Sequence, residues 1–548
     1  MDKRSLLAIV LCLLILIVYQ EMISYFYPPP QRSVPTEPLA PAPSISPGNA
    51  PLTPAPQQGT AQRTIGVTQP YPSSTPRRAT REITVDNEVY TAVFTSLGGR
   101  LKSLRLKHYP GDAGRDSPPL EMVRPGTNGE LPLGVRLEGK EVVVADDAVQ
   151  YEVVTDKVEL RSGEQATVTL QGTDASGVSF TKTLSFSGQS YGIGLEVQVA
   201  NAPAMATFFS LLWVEGLSYH QRDSSYHIHG PVALIGRKFI QETPTQHSEE
   251  ILGPAKIRWA GYADNYFLSA MIPPPGDNYR LFLQTADGTV TTKLMLPWQG
   301  TTVGYTVYVG PKEFDALNAV DPSLDRAIDF GWFHFIARPL VSLLRFSHSL
   351  TGNYGVDIII LTLLVKILFF PLSNKSYKSM SEMRKLQPQM ERLRAQYKDD
   401  PQQLNKELME LYRRYKINPL GGCLPMLVQL PVFIGLYQAF LHAIELRQAP
   451  FFGWIQDLSQ PDRLGSIALP FIEPPGIPVL TLLMGGTMWV QQAMTPMGGD
   501  PTQQKIMMLM PLVFTIMFVN FPSGLVLYWL VNNILSIAQQ YWYTKKYS

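Results

Sequence analysis

The chain has 548 residues, enough for several domains, and a formal net charge of +1. That balance offers no field for nucleic acid, so no specific DNA partner is expected. Its two cysteines, Cys12 and Cys423, lie in apolar segments without zinc-ligand or CxxC spacing, and no G-x-x-x-x-G-K-S/T loop signals ATP, so no cofactor, no metal and no catalytic residue are expected.

Lys3 and Arg4 precede an apolar run over residues 6–23. The run is longer than a signal-peptide core and no A-x-A site follows, so residues 1–27 are expected to form a retained transmembrane anchor with a cytoplasmic N-terminus. Residues 28–80 are dense in Pro, Ala, Ser, Thr and Gln. That composition cannot bury a core and suits an extended linker, here on the periplasmic side.

From residue 81 to about 311 the apolar pattern has period two. EITVDNEVYTAVF reads as a hairpin turning at Asp86-Asn87, ATVTLQGTDASGVSFTKTLSF and GIGLEVQVA repeat the theme, and GYTVYVGPKEF reads as the last strand. Turn residues recur between short strands. They indicate a large exported antiparallel β-sandwich over residues 81–325, not a βαβ fold. His220, His227 and His229 cluster in YHQRDSSYHIHG, either as a metal site or as a solvated strand edge.

Residues 326–350 are expected to be an amphipathic helix lying in the membrane interface. Phe333, Ile336, Leu340, Leu343 and Leu344 approximate its apolar face, and a soluble helix packed on the sandwich is the alternative. Residues 357–370 are apolar except for Thr362 and Lys366, which share a face, and Pro371 is expected to close this span. A lysine at bilayer depth costs on the order of 3 kcal/mol on insertion scales. Lys366 either snorkels to the cytoplasmic headgroups or sits in a water-filled groove open to the cytoplasm. The excess of Lys and Arg over residues 373–417 places that segment in the cytoplasm. Two apolar stripes, Met390, Leu393 and Tyr397, then Leu404, Leu408, Leu411, Tyr412 and Tyr415, flank the break at Asp399-Asp400-Pro401. They predict an antiparallel helical hairpin standing off the membrane.

Residues 418–437, NPLGGCLPMLVQLPVFIGLY, break and then run apolar around Gln429, with Pro425 before it and Pro431 after. A polar amide inside a span faces protein or a wet cavity. Residues 445–476 carry few basic residues and belong outside. Further spans are expected at 478–494, 506–520 and 525–540. Thr481, Gly485, Gly486 and Thr487 permit close helix contact. Methionines, Met517 among them, crowd two spans, as ordinary packing residues or as an adaptable apolar slide. Asn532, Asn533, Ser536 and Gln539 recur near helical spacing and should face an interior. The sum is six transmembrane helices, an N-terminal anchor plus a five-helix core over residues 351–548, with both termini cytoplasmic.

NPLGGCLPMLVQLPVF, ELRQAPF and QQKIMMLMPLVFTIMFVNFPSGLVLYW together resemble the YidC-type membrane protein insertases of the YidC/Oxa/Alb family. The large exported domain resembles the Gram-negative bacterial form, in the cell inner membrane. The resemblance implies insertion and chaperoning of nascent membrane proteins, alone or with the Sec translocon, with the ribosome and the lipid bilayer as further partners. It implies a hydrophilic groove open to cytoplasm and lipid, with a cation in the first core span. Lys366 takes that place where most bacterial relatives have arginine, which keeps the charge and changes the donor geometry. Thr362, Gln429 and Tyr528 become groove or contact residues by the same resemblance, with Trp529 where many relatives have a second tyrosine. Met517 joins this set as part of the apolar slide. The competing readings are a solute transporter, from polar residues inside spans, and an envelope enzyme, from the histidine cluster. No repeat of the kind transporters show joins the core spans.

Overall fold

The computed structural model describes residues 80–111, 117–217, 229–242, 248–398, 400–415, 424–467, 472, 474–495 and 501–547. The anchor, nearly all of the linker, His220, His227, Asp399 and the break at residues 418–423 lie outside them.

Strands fill the described chain from Glu82 to Pro311 and form three sheets of five, nine and six strands. Glu82–Asp86 pairs antiparallel with Tyr90–Thr95, and the turn between them is held by Asn87, whose Oδ1 accepts from the amides of Val89 and Tyr90. Gln165–Thr173, Ser179–Ser187 and Gly192–Ala200 follow as neighbours in the nine-stranded sheet, and Thr302–Pro311 pairs beside them as the last strand. One pairing departs from the antiparallel rule: Lys157–Glu159 runs parallel to Glu82–Asp86. The alternation of outward-facing and buried side chains along these strands is the physical content of the period-two sequence. One side chain in two enters a core that fully buries Phe94, Phe180, Phe209, Trp213, Trp259 and Tyr308.

That core also contains a lysine. Lys182 is 1% exposed, and its Nζ donates to the carbonyls of Gly98, Gly99 and Leu133 and meets Asp146 at 2.6 Å. Burial pulls its pKa down to about 8, with Asp146 opposing the fall. Four oxygens around one ammonium are what make the burial tolerable.

Helices follow. Helix α1 (Phe314–Val320) and a 3-10 turn lead to α2 (His334–Thr351), then α3 (Tyr354–Gln396), α4 (Pro401–Arg414), α5 (Leu424–His442), α6 (Val479–Met494), α7 (Pro501–Phe518) and α8 (Ser523–Tyr547). The buried stripe of α2 is Ala337, Val341, Leu344 and Ser347, one position round from the expected face; Phe335, Phe346 and Leu350 point outward. Leu340 and Leu343 of the expected face are partly buried beside this stripe, and Ile336 packs against Gly435 of α5.

Pro371 does not close the first core span. Helix α3 continues through both Pro371 and Pro388 for 43 residues, so the span and the first arm of the cytoplasmic hairpin are one helix. A proline removes one backbone donor, but its fixed φ is helical, and a long helix can absorb a single lost bond. The second arm, α4, starts where Asp400 accepts from the amides of Gln402 and Gln403. The arms meet over a small separate core of Leu386, Met390 and Leu411, with Leu393, Leu408 and Tyr412 against it.

Candidate substrate groove

Helix α8 organises the site. Tyr528, Asn532, Ser536 and Gln540 are spaced by four and buried at 0, 7, 3 and 4% exposure, a polar stripe on an otherwise apolar helix. Polar groups at such depth need partners. Lys366 of α3 donates from Nζ to Ser536 Oγ at 2.6 Å, and that hydroxyl donates to the Asn532 carbonyl at 2.7 Å. Gln429 of α5 donates from Nε2 to Asn532 Oδ1 at 2.9 Å and to the Tyr528 hydroxyl at 3.4 Å. Three helices are therefore joined through one row of side chains. Lys366 and Gln429 also face a small shared recess of about 10 Å³, walled by Val365, Phe369, Leu372 and Ser373. The row continues toward the basic end of α3: the Tyr377 hydroxyl reaches the Ser536 carbonyl at 3.4 Å, and Gln539 donates to Asn374 at 2.9 Å.

The residues expected at the groove divide into two groups. Lys366, Gln429 and Tyr528 are linked by hydrogen bonds. Thr362 is fully buried one turn before Lys366, and its hydroxyl donates to the Ile358 carbonyl of its own helix. Trp529 turns to the neighbouring face of α8 and packs edge-on against Phe433, ring centroids 4.6 Å apart, beside Phe518. Met517 is 48% exposed on α7, outside the polar row. Asn532 and Ser536 are the bridging groups, and their four-residue spacing was the signal available in the sequence. Tyr377 carried no such signal, because it falls beyond the proline expected to end the span.

The opposite end of the helices is covered by the loop between α5 and α6. Asp462 accepts from the Leu480 amide at 2.7 Å and the Thr481 hydroxyl at 3.0 Å, so it caps α6 from a distance in sequence. Gln460 and Leu458 give their carbonyls to the first amides of α8, Ser523 and Gly524. Arg463 donates to the Val519 carbonyl and to Asn520 Oδ1. The same loop reaches the sheets: Arg447 donates to the carbonyls of Pro110 and Gly111 and lies over the Phe267 ring. The third histidine of the sequence cluster, His229, stands 3.0 Å from the Tyr262 hydroxyl.

Two family models match the chain. One, described as the YidC periplasmic domain, matches residues 82–343; the other, the 60Kd inner membrane protein, matches residues 346–548. "Membrane protein insertase YidC" of Syntrophus aciditrophicus (strain SB) is 41% identical over the whole of both chains. The protein of the same name from Citrifermentans bemidjiense is 38% identical over all of this chain and 99% of its own. A solved structure, "Active YidC insertase crystal structure with the first transmembrane domain resolved", covers 85% of this chain and 93% of its own at 19% identity, with a TM-score of 0.38.

Proposed function

The chain belongs to the YidC family of membrane protein insertases, and from that premise we propose that it receives polar flanks of nascent membrane proteins in the recess beside Lys366. It is an inner-membrane insertase with a periplasmic domain, and its role is insertion, not covalent catalysis. The observation that carries the groove reading is the hydrogen-bonded row Lys366–Ser536–Asn532–Gln429–Tyr528 across three helices.

A client helix leaving water for lipid gains roughly 25 cal/mol per Å² of apolar surface buried. The obstacle is its polar flank, which must cross hydrocarbon. A polar row along α8 shortens that path, and Lys366 exchanges its Ser536 partner for a client carboxylate. The membrane potential adds about 2.3 kcal/mol per charge per 100 mV for an acidic tail moving outward. No nucleotide is needed. Gln429 and Tyr528 offer the next polar contacts, while Thr362 supports α3 from behind. Trp529 and Met517 provide apolar surface at the sides. In this reading the chain crosses the membrane six times with both termini cytoplasmic, the α3–α4 hairpin meets the ribosome and nascent chain, and some clients arrive through the Sec translocon.

Purified full-length protein in liposomes tests this. A single-span client with an acidic outer tail should insert only in its presence and should form site-specific crosslinks to probes at 366 and 429. Insertion that is equally efficient in protein-free liposomes overturns the reading.

A further inference from the structure

A second recess, of about 290 Å³, lies between α3, α6 and α8, at the basic end of α3 where the row reaches Tyr377 and Gln540 and beyond the Lys366–Gln429 recess. Tyr377, Arg384 and Lys385 face it from α3, Met494 from α6, and Gln540 and Tyr543 from α8. Arg384 and Lys385 are both exposed at its rim, and none of its lining residues among those described is acidic.

Its depth is fixed by the helices themselves. On α3 the exposed apolar residues Leu363, Leu364, Ile367, Leu368 and Phe370 stop at Phe370, and exposed Lys375 and Lys378 follow. On α8 exposed Ile534 gives way to exposed Tyr541 and Trp542 and then to Lys545. Helix α6 ends at Met494, one turn past exposed Trp489 and Val490. The Tyr377 and Tyr543 wall of the recess therefore sits just past the point where the exposed apolar residues end, and Arg384 and Lys385 lie farther toward the basic end of α3.

We propose that this recess binds the phosphate of an anionic phospholipid headgroup. Arg384 offers a planar fork and Lys385 a point charge to a phosphate oxyanion. The Tyr377 and Tyr543 rings stand 6.4 Å apart in its wall. Exposed Trp489 and Val490, about one turn before Met494 on α6, give the acyl chains an apolar surface. Continuity with that lipid-facing surface favours a lipid over a client carboxylate. The inference does not depend on which groove residue touches a client. Basic pockets between transmembrane helices are a recurrent headgroup site.

The test uses the full chain released from vesicles of phosphatidylethanolamine with phosphatidylglycerol, read by native mass spectrometry. Wild type should retain phosphatidylglycerol, and the double variant Arg384→Gln/Lys385→Gln should bind it roughly tenfold more weakly. Arg392→Gln/Lys398→Gln, with the same charge removed from exposed hairpin positions, should bind as wild type does. Arg384→Lys with Lys385 intact should recover most of the binding, which separates charge from folding. Equal retention by the 384/385 variant and wild type overturns the proposal. Displacement of the lipid by millimolar inorganic phosphate would overturn the lipid source in favour of a soluble ion. Crosslinking of an acidic client peptide at 384, with lipid retention unchanged in the variants, would overturn it in favour of a peptide site.

Discussion

At the scale of single residues, Lys366 and Glu215 carry opposite lessons about buried charge. Lys366 is half-buried and hydrogen-bonded to a neutral hydroxyl, which in the proposed groove leaves its charge for a client. Lys366→Arg should sustain insertion in liposomes. Lys366→Ala should slow clients with acidic outer tails roughly tenfold, a barrier rise of about 1.4 kcal/mol, and leave neutral-tailed clients nearly untouched. Equal rates for all three proteins would make the lysine a mere snorkelling group. Glu215, in the six-stranded sheet, is 3% exposed; burial raises its pKa to about 8 despite Arg124 at 3.5 Å. The folded protein therefore holds a proton that the unfolded chain releases near 4.5. Stability falls as pH rises from about 4.5 to 8, by at most about 1.4 kcal/mol per pH unit from this group. Thermal unfolding of Glu215→Gln should lose that slope relative to wild type, and parallel pH profiles would refute it. The sequence made Lys366 and Gln429 legible because polar residues in apolar runs stand out. Glu215 was illegible, since an isolated glutamate in a strand does not announce which face it occupies.

Among elements, α6 and α7 meet closely at Gly485. A Cβ on Gly485 would lie 2.1 Å from Thr515 Oγ1, whereas Gly486 faces open space. Gly485→Leu should therefore destabilise the helical core by about 1–3 kcal/mol through overpacking. Gly486→Ala should be close to neutral, and a thermal-shift series in one detergent distinguishes them. The small-residue run predicted close packing but could not say which glycine makes it, because that depends on the rotation of α6 against α7. Periodicity likewise located the two hairpin stripes that meet at Met390 and Leu411. It failed at Pro371, where a local breaker is overridden by helix on both sides and by neighbours that hold it. It also failed at α6, whose cap, Asp462, lies 17 residues before its first residue, Val479, too far for any local motif to reveal.

For the whole molecule, one joint between the sheets and the helical core runs through Arg447 and Gln448, both of which donate to the Pro110 and Gly111 carbonyls. Arg447→Ala removes its donors to Pro110 and Gly111 and the cation above Phe267. Hydrogen exchange should rise at residues 264–268 and 445–450 together, while the interior of the nine-stranded sheet stays protected. Unchanged exchange at both segments would show that Gln448, which donates to the same two carbonyls, and apolar packing hold the joint without Arg447. That joint was not legible in the sequence: Pro110 and Arg447 are brought together only by the folded chain. The broad division into sheets and helices was legible, because the apolar period changes from two to helical spacing near residue 311. The parallel pairing at Lys157–Glu159 was hidden, since alternation records burial and not direction. Continuity across Pro371 has a mechanical consequence. At about 1.5 Å per residue, α3 is a rod of about 65 Å that carries Lys366 near one end and the hairpin at the other. Pro371, which offers no amide to the Ile367 carbonyl, is one of its two weak points, the other being Pro388, and lies five residues from Lys366. Load on the hairpin is thus transmitted as torque along a single lever, with its fulcrum beside the charge.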